Sequence, residues 1–590
     1  MAEPVGGRPK AAFYVVLLLV VGGLVMYGLR GYLFPKGGEP QETSVTPITP
    51  AQVTQAAGGD ASDAEASDAN VPTTVKEYQF VPSEKLPPVS GVSTYEPVAD
   101  RTVKFALNVW AGWAPIILFN EGKGPGKLWT FPGMEPFKVE LILIDDPVAM
   151  RDAYAAGKVH IGWATLDMVP LFMEEFQKDS RIRPRIFQQV DWSNGGDGIV
   201  VRRSAAKDPE RPTIADLRGK RVVLAQNSPS QFFVLNALIN GGVQPAEVNF
   251  VYTQDAFQAA AAFNTNPDIA ACVSWAPDIY NLTKIPSNHL LVTTATANKL
   301  IADVWFARAD FAKDYSDICE GLVRGIFDGM ETMTTDEGRQ QVAGFMSKMY
   351  NIPGDECLGM LGDAHQTNYA ENRDFFLNAN NPANFERTWN TAVYLYRHIG
   401  KVTNVPSFDT VMDFTIIQKL GSEEKYASSK NEYQVQFTPK DVGSIKAESG
   451  EILTKVVTIH FYPNSHDLYK KIVAREGGRE VERAYDPNVD FVVEEIGKLA
   501  GQYGAARIVI EGHTDSSMKG QVPASLVKEL SDRRANAVKE SLVRKFASLD
   551  PKQFSTAGMG WDVPADPANP MNHTRNRRVE VKVYPLESPE

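Results

Sequence analysis

The stretch KRVVLAQNSPSQFFVLNALINGGVQPAEVNFVYT, residues 220–253, decides the fold of the middle of the chain. Its runs at 220–225 and 248–253 are typical of strands, and the first is almost continuously apolar, as buried parallel strands are. Between them, residues 230–242 have the length and apolar content of a buried helix that ends at glycine. A strand, a helix and a second strand in this order predict α/β architecture with right-handed crossovers.

The same alternation of strands and helices extends over residues 101–420. Apolar runs at 103–110 and 137–144 predict further strands, and residues 147–157 predict another helix. In sheets of this kind, ligands bind at the carboxyl ends of the strands. The residues that follow the predicted strands are therefore the candidates for a binding site.

Aromatic and small polar residues follow these strands. Trp110 and Trp113 lie in a glycine-containing loop after the first strand, and Ser228, Pro229 and Ser230 lie where a strand becomes a helix. Serine followed by proline is a common helix start, and the free backbone N–H groups beyond it can bind an anionic group. Ser228 could equally act only as the cap of its helix, so this residue alone does not establish a ligand site.

Four motifs give this region a resemblance to the periplasmic solute-binding proteins of ABC importers, specifically the nitrate/taurine-type group. They are VWAGWAP (109–115), AYAAGKVHIGWATLDMVP (153–170), IADLRGKRVVLAQNSPSQFFVLNALINGGVQPAEVNFVY (214–252) and DIAACVSWAPDIY (268–280). The resemblance implies two α/β lobes that close by a hinge motion on a small polar or anionic solute. The glycines of DWSNGGDG (191–198) are interpreted as a chain reversal between the lobes. The expected ligand-binding residues are Trp113, Thr165, Asn194, Ser228, Ser230 and Trp275.

The chain is not expected to be an enzyme, and no catalytic residue is assigned. One relative of this fold, the thiamin-pyrimidine synthase type, needs an active-site histidine and bound pyridoxal phosphate, but His160 lies in an apparent strand and is interpreted as structural. The segment EGKGPGKL (121–128) is similar to a phosphate-binding loop only superficially, since Leu128 stands where Ser or Thr is required. No cofactor is expected, and no residues have the spacing of a metal site.

The composition excludes several classes of protein. The chain has 590 residues, 43% of them hydrophobic, and a net charge of -12. This is an ordinary soluble composition, which argues against a polytopic membrane protein and against nucleic acid as the main partner. Three cysteines are too few for a disulfide scaffold, although two of Cys272, Cys319 and Cys357 could pair outside the cytoplasm.

The N-terminal residues differ from the rest of the chain. Residues 11–29 read AAFYVVLLLVVGGLVMYGL without a charge, and a helix of this length spans about 29 Å, the thickness of a bilayer core. We interpret this segment as an uncleaved transmembrane signal anchor in a bacterial inner membrane, with residues 1–10 in the cytoplasm and the following domains in the periplasm; a cleaved signal peptide is the alternative. Residues 30–100 are predicted to form a disordered acidic tether.

Beyond a predicted linker at 421–450, residues 451–590 are typical of a compact α+β domain. The predicted strands are 456–463, 506–515 and 577–585, and the predicted helices are 490–504 and 526–546. We expect a sheet with its helices packed on one face.

Motifs in this region resemble those of the OmpA-like peptidoglycan-binding domain. They are IEGHTD (510–515), LSDRRANAV (530–538), GMGWDVP (558–564) and NRRVEV (576–581). The resemblance implies that Asp515 and Arg534 bind the zwitterionic end of diaminopimelate in the peptide stem, where a carboxylate accepts from ammonium and a guanidinium binds a carboxylate. Val527 stands where the family usually has Asn, so the loop beside the pocket is expected to be reshaped. Asn576 and Arg578 are interpreted as structural braces, with secondary contacts to the ligand as the alternative.

Together these parts predict an inner-membrane-anchored periplasmic solute-binding protein that is tethered to peptidoglycan and serves ABC-type uptake or sensing, with an ABC permease as a partner. The alternative is a structural envelope scaffold whose degenerate solute-binding domain docks other proteins. Permanent attachment at both ends favours the scaffold, because a binding protein of an importer must shuttle its solute. The sequence leaves the identity of the solute open.

Overall fold

The structure is a computed structural model that describes residues 78–476 and 479–586. The predicted membrane anchor, residues 11–29, and most of the predicted tether lie outside the described residues. No helix within the two described ranges is long and apolar enough to cross a membrane.

The described residues form three sheets and a two-stranded hairpin. Strands β1 to β6 are Thr102–Leu107, Leu128–Trp129, Phe137–Leu143, Ile161–Thr165, Pro184–Ser193 and Asp197–Arg202. Strands β7 to β12 are Arg221–Ala225, Asn249–Thr253, Ala271–Trp275, Asn288–Thr293, Ala302–Arg308 and Ala364–Gln366. Strands β13 to β18 are Leu453–Val457, Lys471–Glu476, Arg479–Ala484, Ala506–His513, Phe554–Gly560 and Arg578–Pro585.

Helices connect these strands and cover the faces of the sheets. Up to residue 314 they are Ala114–Phe119, Pro147–Ala155, Val169–Phe176, Pro229–Asn240, Ala256–Thr265, Asp278–Thr283 and Ala309–Asp314. From residue 316 to 427 they are Ser316–Thr332, Asp336–Tyr350, Gly354–Met360, Tyr369–Leu377, Phe385–His398, Thr415–Leu420 and Glu424–Ala427. The remaining helices are Val442–Glu448, Val489–Gln502, Ala524–Lys545 and His573–Asn576.

A seven-stranded sheet in the order β12-β5-β11-β4-β1-β3-β2 forms the centre of the first lobe. β1 pairs in parallel with β3 and β4, whereas β11 pairs antiparallel with β4 and β5. Every residue of β4 and β11 is buried, because helices cover both faces of this sheet. The sheet therefore provides a rigid base for the loops at its edge.

A five-stranded sheet in the order β10-β6-β9-β7-β8 forms the centre of the second lobe. The stretch 220–253 supplies β7, the helix Pro229–Asn240 and β8, and the two strands are parallel, as predicted. All residues of this helix except Pro229 are buried, which explains its apolar character on every face.

Two segments cross between the lobes: residues 193–197 join β5 to β6, and residues 293–302 join β10 to β11. The first is the glycine-containing segment that the sequence indicated as a chain reversal, and Gly195 has a φ of 95°, which favours glycine. The two crossings are hydrogen-bonded to each other, because the Thr294 hydroxyl accepts from the backbone N–H groups of Gly195 at 2.9 Å and Asp197 at 3.1 Å. The two lobes are therefore connected by a hydrogen-bonded pair of crossings.

The predicted tether ends earlier than expected. Residues 78–98 lie against the lobes instead of forming part of a tether that extends to residue 100: Ser83 N donates to Ile399 O at 2.8 Å, and Glu96 N donates to Gly157 O at 2.8 Å. Apolar side chains explain the difference, because several of them pack on the core. They are Tyr78, Phe80, Leu86, Val89 and Tyr95.

A four-stranded sheet in the order β13-β18-β16-β17 forms the C-terminal domain. The helix Ala524–Lys545 packs on β16 and β17 and against the helix Val489–Gln502. The first strand, β13, begins three residues before its predicted start and ends at Val457, and His460 N then donates to Asp486 Oδ2 at 3.0 Å. The hairpin β14–β15 follows, and the sequence did not predict it.

The C-terminal domain contacts both lobes. Arg387, on a helix that packs on Val169–Phe176 of the first lobe, donates to Glu494 Oε1 at 2.6 Å. Asn236, in the second lobe, donates to Gln502 Oε1 at 3.2 Å. One end of this domain therefore bridges the two lobes.

The predicted linker, residues 421–450, also packs on its neighbours. Phe437 and Ile445 are buried, and Ile445 contacts Val509 of the C-terminal sheet. Arg507 donates to the Thr438 carbonyl at 2.8 Å. The segment is therefore folded along much of its length.

Candidate functional site

A cavity of about 240 Å³ lies between the lobes, at the carboxyl ends of the central parallel strands. The first lobe contributes Trp110, Asp145, Asp146, Trp163, Thr165 and Asp303 to its walls. The second lobe contributes Asp197, Ser228, Asp255, Phe257 and Trp275. A ligand in this cavity contacts both lobes at once.

Aromatic rings form a large part of the cavity wall. The Trp163 Nε1–H donates to the Ile144 carbonyl at 3.0 Å, and the Trp110 Nε1–H donates to Asp191 Oδ1 at 3.3 Å. Both rings are thereby fixed while they also line the cavity. Gly196 allows this placement of Trp110, because a Cβ there would lie 2.4 Å from Cη2 of the indole.

Three aspartates at the cavity wall are held by backbone N–H groups. Asp145 Oδ1 accepts from Val109 N at 2.7 Å. Asp146 caps the helix Pro147–Ala155, and Asp255 caps the helix Ala256–Thr265. Each of these carboxylates brings negative charge to the cavity wall.

Two further aspartates lie opposite each other in the seven-stranded sheet. Asp303 on β11 and Asp191 on β5 are cross-strand neighbours, and both are buried. Burial raises the pKa of Asp191 to about 8, and burial together with the neighbouring Asp191 raises the pKa of Asp303 well above its usual value. The pair therefore retains a proton near neutral pH.

Asp197 connects the cavity to the two crossings between the lobes. Its Oδ2 accepts from the Ser193 hydroxyl at 2.7 Å, and Ser193 also bonds to Thr294 on the other crossing at 2.8 Å. Asp197 Oδ1 is buried and has no hydrogen-bond partner among the described residues. Burial raises the pKa of this carboxyl to about 6.

The other acidic groups around Asp197 are also buried. Burial raises the pKa of Asp167 to about 7 and that of Asp363 to about 7, and the negative charge of Asp197 adds to both shifts. The Tyr396 hydroxyl donates to Asp167 at 3.3 Å. A proton or another positive charge is therefore favoured at this end of the cleft.

The structure brings three of the six sequence-predicted ligand residues to the cavity, namely Thr165, Ser228 and Trp275. The Ser228 hydroxyl donates to the Ala225 carbonyl at 2.9 Å and does not cap its helix.

The other three predicted residues do not line the cavity. Trp113 is fully buried and donates to Asn108 Oδ1 at 2.7 Å. Asn194 Oδ1 accepts from the Tyr433 hydroxyl at 2.9 Å, and Ser230 is fully buried in its helix.

The sequence analysis did not identify the aspartates that line the cavity. The available signal was their position: Asp145 and Asp146 follow β3, and Asp255 comes two residues after β8. All three therefore lie at the strand ends where ligands bind in this architecture.

The expected wall-binding residues lie in the C-terminal domain. Asp515 is buried, accepts from Ser517 N at 2.7 Å and pairs with the Arg577 guanidinium at 2.5 Å. Arg534 is also largely buried; its Nε donates to the Ser465 carbonyl at 3.0 Å and its guanidinium lies 5.0 Å from the ring centroid of Phe461. Arg577, which sequence reasoning did not single out, lines a small cleft together with Arg534.

The predicted braces make local contacts in the same domain. Asn576 Oδ1 accepts from Asp566 N at 3.0 Å, and the Arg578 side chain donates to Glu580 at 2.7 Å and to the Val563 carbonyl at 3.1 Å. These bonds connect the loop after β17 to the beginning of β18.

Glu511, His513 and Glu580 are close enough to hold a metal ion, but their environment does not favour one. Burial lowers the pKa of His513 to about 4, so its ring is neutral near neutral pH and does not balance the charge of the two carboxylates. Lys582 lies 3.1 Å from Glu511 and 3.5 Å from Glu580, so the carboxylates already have a cationic partner. The group is a buried ion-pair network.

The three cysteines are buried and unpaired in the structure. Burial raises the pKa of the Cys272 and Cys319 thiols well above the usual value. Both thiols therefore remain protonated at neutral pH.

The N-terminal and C-terminal parts of the chain are similar to different groups of known proteins. Residues 476–578 match the OmpA family. An OmpA domain therefore lies in the C-terminal part. A curated relative of this kind, the outer membrane porin F of Pseudomonas fluorescens, is 35% identical over 98 residues, which are 16% of this chain and 28% of the porin.

The N-terminal part resembles the periplasmic binding proteins for sulfonate, nitrate and taurine. The taurine-binding periplasmic protein of Escherichia coli (strain K12) is 26% identical over 205 residues, 34% of this chain. The chain spans 59% of the length of that relative. The two lobes joined by two crossings are a periplasmic-binding-protein-like fold.

Two solved structures are similar to this part at low identity. The alkanesulfonate-binding protein SsuA from Xanthomonas axonopodis pv. citri bound to MOPS is 16% identical, with a TM-score of 0.39, and the match covers 54% of this chain and 100% of that one. The periplasmic nitrate-binding protein NrtA from Synechocystis PCC 6803 is 13% identical, with a TM-score of 0.36, covering 55% and 89%.

Proposed function

We propose that the protein is a periplasmic solute-binding protein that is held on the cell wall. The binding-protein-like part takes a small polar solute in its cleft, and the OmpA domain binds peptidoglycan. The observation that supports this most is the cavity itself, which lies at strand ends of both lobes and is lined by indole rings and carboxyl groups. The similarity to a taurine-binding periplasmic protein supports the same assignment.

Binding would act on the hinge. A solute that contacts both lobes would bind the closed arrangement more tightly than the open one. The difference between the two binding free energies sets how far the equilibrium shifts towards closure. Asp197 is positioned to transmit this effect, because it lines the cavity and its Oδ2 bonds to Ser193 at the start of the first crossing. We expect solute binding to change the intrinsic fluorescence of the full chain, since Trp110, Trp163 and Trp275 line the cavity.

Wall binding would use Asp515 and Arg534. Arg577 holds Asp515 Oδ2 and Ser517 N bonds to Asp515 Oδ1, and each carboxylate oxygen has a further lone pair that would accept from an ammonium group of the peptide stem. Arg534 would bind the neighbouring carboxylate of the same diaminopimelate residue.

Co-sedimentation with purified diaminopimelate-type cell wall tests this assignment. Asp515→Ala and Arg534→Ala should each abolish sedimentation, whereas Arg544→Ala, which changes an exposed arginine on the same helix, should not. Undiminished sedimentation of both the Asp515 and the Arg534 variant would refute the assignment.

The remaining part of the proposal concerns the location and the partner. Residues 11–29 would anchor the protein in the inner membrane, and the cleft would serve ABC-type uptake or sensing. Introducing two lysines, Leu18→Lys and Val21→Lys, should release the protein into the soluble fraction once the wall is digested. Retention of this variant in washed membranes would contradict the anchor.

A second candidate function is that of an envelope scaffold. The OmpA domain contacts both lobes through Glu494 and Gln502, which restrains their relative motion. Two lobes whose relative motion is restrained would serve better as a fixed surface for docking proteins than as a receptor that opens to deliver a solute. Crosslinking in cells discriminates between the two functions: an ABC permease among the crosslinked partners supports uptake, and other envelope assemblies without a permease support the scaffold.

A further inference from the structure

We propose that the solute is a small organic cation, whose ammonium or guanidinium group lies against Asp197 and Asp303. This inference rests on the proposed function, because it names the chemical class of the solute that the cleft binds. It differs from the expectation of a polar or anionic solute, and four observations support it.

The charge of the cavity wall is the first observation. Five aspartates line the cavity, and none of the described residues that line it is Lys, Arg or His. The five are Asp145, Asp146, Asp197, Asp255 and Asp303. Bringing a sulfonate or nitrate into this wall places like charges together in a partly desolvated site, which is unfavourable, whereas a cation is attracted.

The unpartnered oxygen of Asp197 is the second observation. The residue is 3% exposed, and its Oδ1 makes no hydrogen bond to any described group. A buried carboxylate oxygen without a donor is costly, and such groups normally find a partner. An N–H group of a ligand in the cavity would supply that donor as a charge-assisted hydrogen bond.

The helix starts around the cavity are the third observation. The N-terminus of a helix commonly binds anions, but at two of the helices here the position is taken by the protein's own carboxylate. Asp146 accepts from the first free N–H groups of one helix at 2.7 and 2.8 Å, and Asp255 accepts from Gln258 N of the other at 2.8 Å. Any anionic ligand would have to compete with these caps.

The aromatic wall is the fourth observation. Trp110, Trp163, Trp275 and Phe257 line the same cavity as the aspartates. The face of an aromatic ring attracts a cation, and tryptophan does so most strongly. Carboxylates and indoles together are the chemistry that recognises alkylammonium and guanidinium groups.

The buried carboxyl groups at this site hold their protons more tightly than exposed carboxyl groups do. Burial raises the pKa values of Asp191 and Asp197 to about 8 and about 6, and Asp167 and Asp363 nearby are shifted in the same direction. A bound cation stabilises the ionised carboxylates and therefore lowers these pKa values. Cation binding should accordingly release protons, which an anion would not do.

Titration of the full chain, followed by tryptophan fluorescence, tests the inference. The probes are cations (putrescine, agmatine and choline), anions (butanesulfonate and nitrate), the zwitterion taurine and the neutral butanediol. Putrescine, butanesulfonate and butanediol share a carbon skeleton, so they differ chiefly in charge. We expect saturable binding of at least one cation, and Asp197→Asn should weaken it about tenfold or more, because a charge-assisted bond is lost.

Asp268→Asn is the matched control, because Asp268 is an exposed aspartate of the same lobe and does not line the cavity. This variant should bind the cation as the unmodified chain does. Tighter binding of an anion, of taurine or of butanediol than of every cation would overturn the inference while leaving the solute-binding function in place. Cation binding that Asp197→Asn does not change would also overturn it. Failure of all the probes to bind would overturn both.

Discussion

The substitution Asp197→Asn should make the protein more stable, and increasingly so as the pH rises. Its carboxyl is buried beside Asp303, Asp167 and Asp363, and burial raises its pKa from 3.8 to about 6. A raised pKa means that the folded chain holds this proton more tightly than the unfolded chain does. The stability that the group contributes is therefore fully present below about pH 4 and is lost as the pH rises through 6.

The size of the effect follows from the shift in pKa. A rise from 3.8 to about 6 corresponds to about 3 kcal/mol between the neutral and the ionised form in the fold. Asparagine has the same shape as a protonated aspartate and can still accept from the Ser193 hydroxyl, so the variant avoids this cost. For a body of about 320 residues, 3 kcal/mol corresponds to roughly 4 to 5 °C in the melting temperature.

The assay is a thermal melt of the full chain and the variant at several pH values between about 4 and 8. The variant should melt at about the same temperature as the unmodified chain at the acid end and several degrees higher at pH 8. Asp268→Asn should show no such trend, since that residue is exposed. A difference that stays flat with pH, or that falls as the pH rises, would refute the reasoning about Asp197.

Three further predictions concern the cleft and the wall site. Gly196→Ala should weaken solute binding about tenfold, because its Cβ would displace Trp110 from the cavity wall; the fluorescence titration measures this, and unchanged affinity would contradict it. Arg577→Ala should lower the free energy of unfolding by about 3 to 5 kcal/mol in urea melts, because it leaves Asp515 buried without its partner, and an unchanged melt would argue against the ion pair. Cation binding near pH 7 should release protons, so the heat of binding measured by calorimetry should vary with the ionisation enthalpy of the buffer. This variation should be smaller in Asp303→Asn. A heat of binding that is independent of the buffer would contradict the release of protons.

Local sequence patterns were sufficient to predict many of the helices and strands. The strand predicted at 137–144 is Phe137–Leu143, and the helix predicted at 230–242 is Pro229–Asn240. These elements are specified by their own apolar residues and by the proline and glycine at their ends. The early end of the tether was missed because an average over a polar segment hides a few apolar side chains, such as Tyr78 and Phe80, that pack on the lobes.

The carboxyl groups of the site could not be predicted in this way. Asp191 and Asp303 meet because β5 and β11 pair antiparallel across more than a hundred residues of chain, and nothing local in either strand indicates the partner. The sequence also did not indicate which of Trp110 and Trp113 lines the cavity. A short turn at Ala111–Trp113 leaves Trp110 at the cavity and buries Trp113, although both lie in one loop.

If the proposals above hold, a single chain binds a cationic solute between its lobes while its OmpA domain is attached to peptidoglycan. The most direct test mixes the full chain with purified cell wall and a radiolabelled form of whichever cation (putrescine, agmatine or choline) binds most tightly in the fluorescence titration. It measures both protein and label in the pellet, with wall alone as the blank. We expect protein and label to sediment together, Asp197→Asn to remove the label but not the protein, and Asp515→Ala to remove both. Protein in the pellet without label above the blank, or label that is indifferent to Asp197, would contradict these proposals.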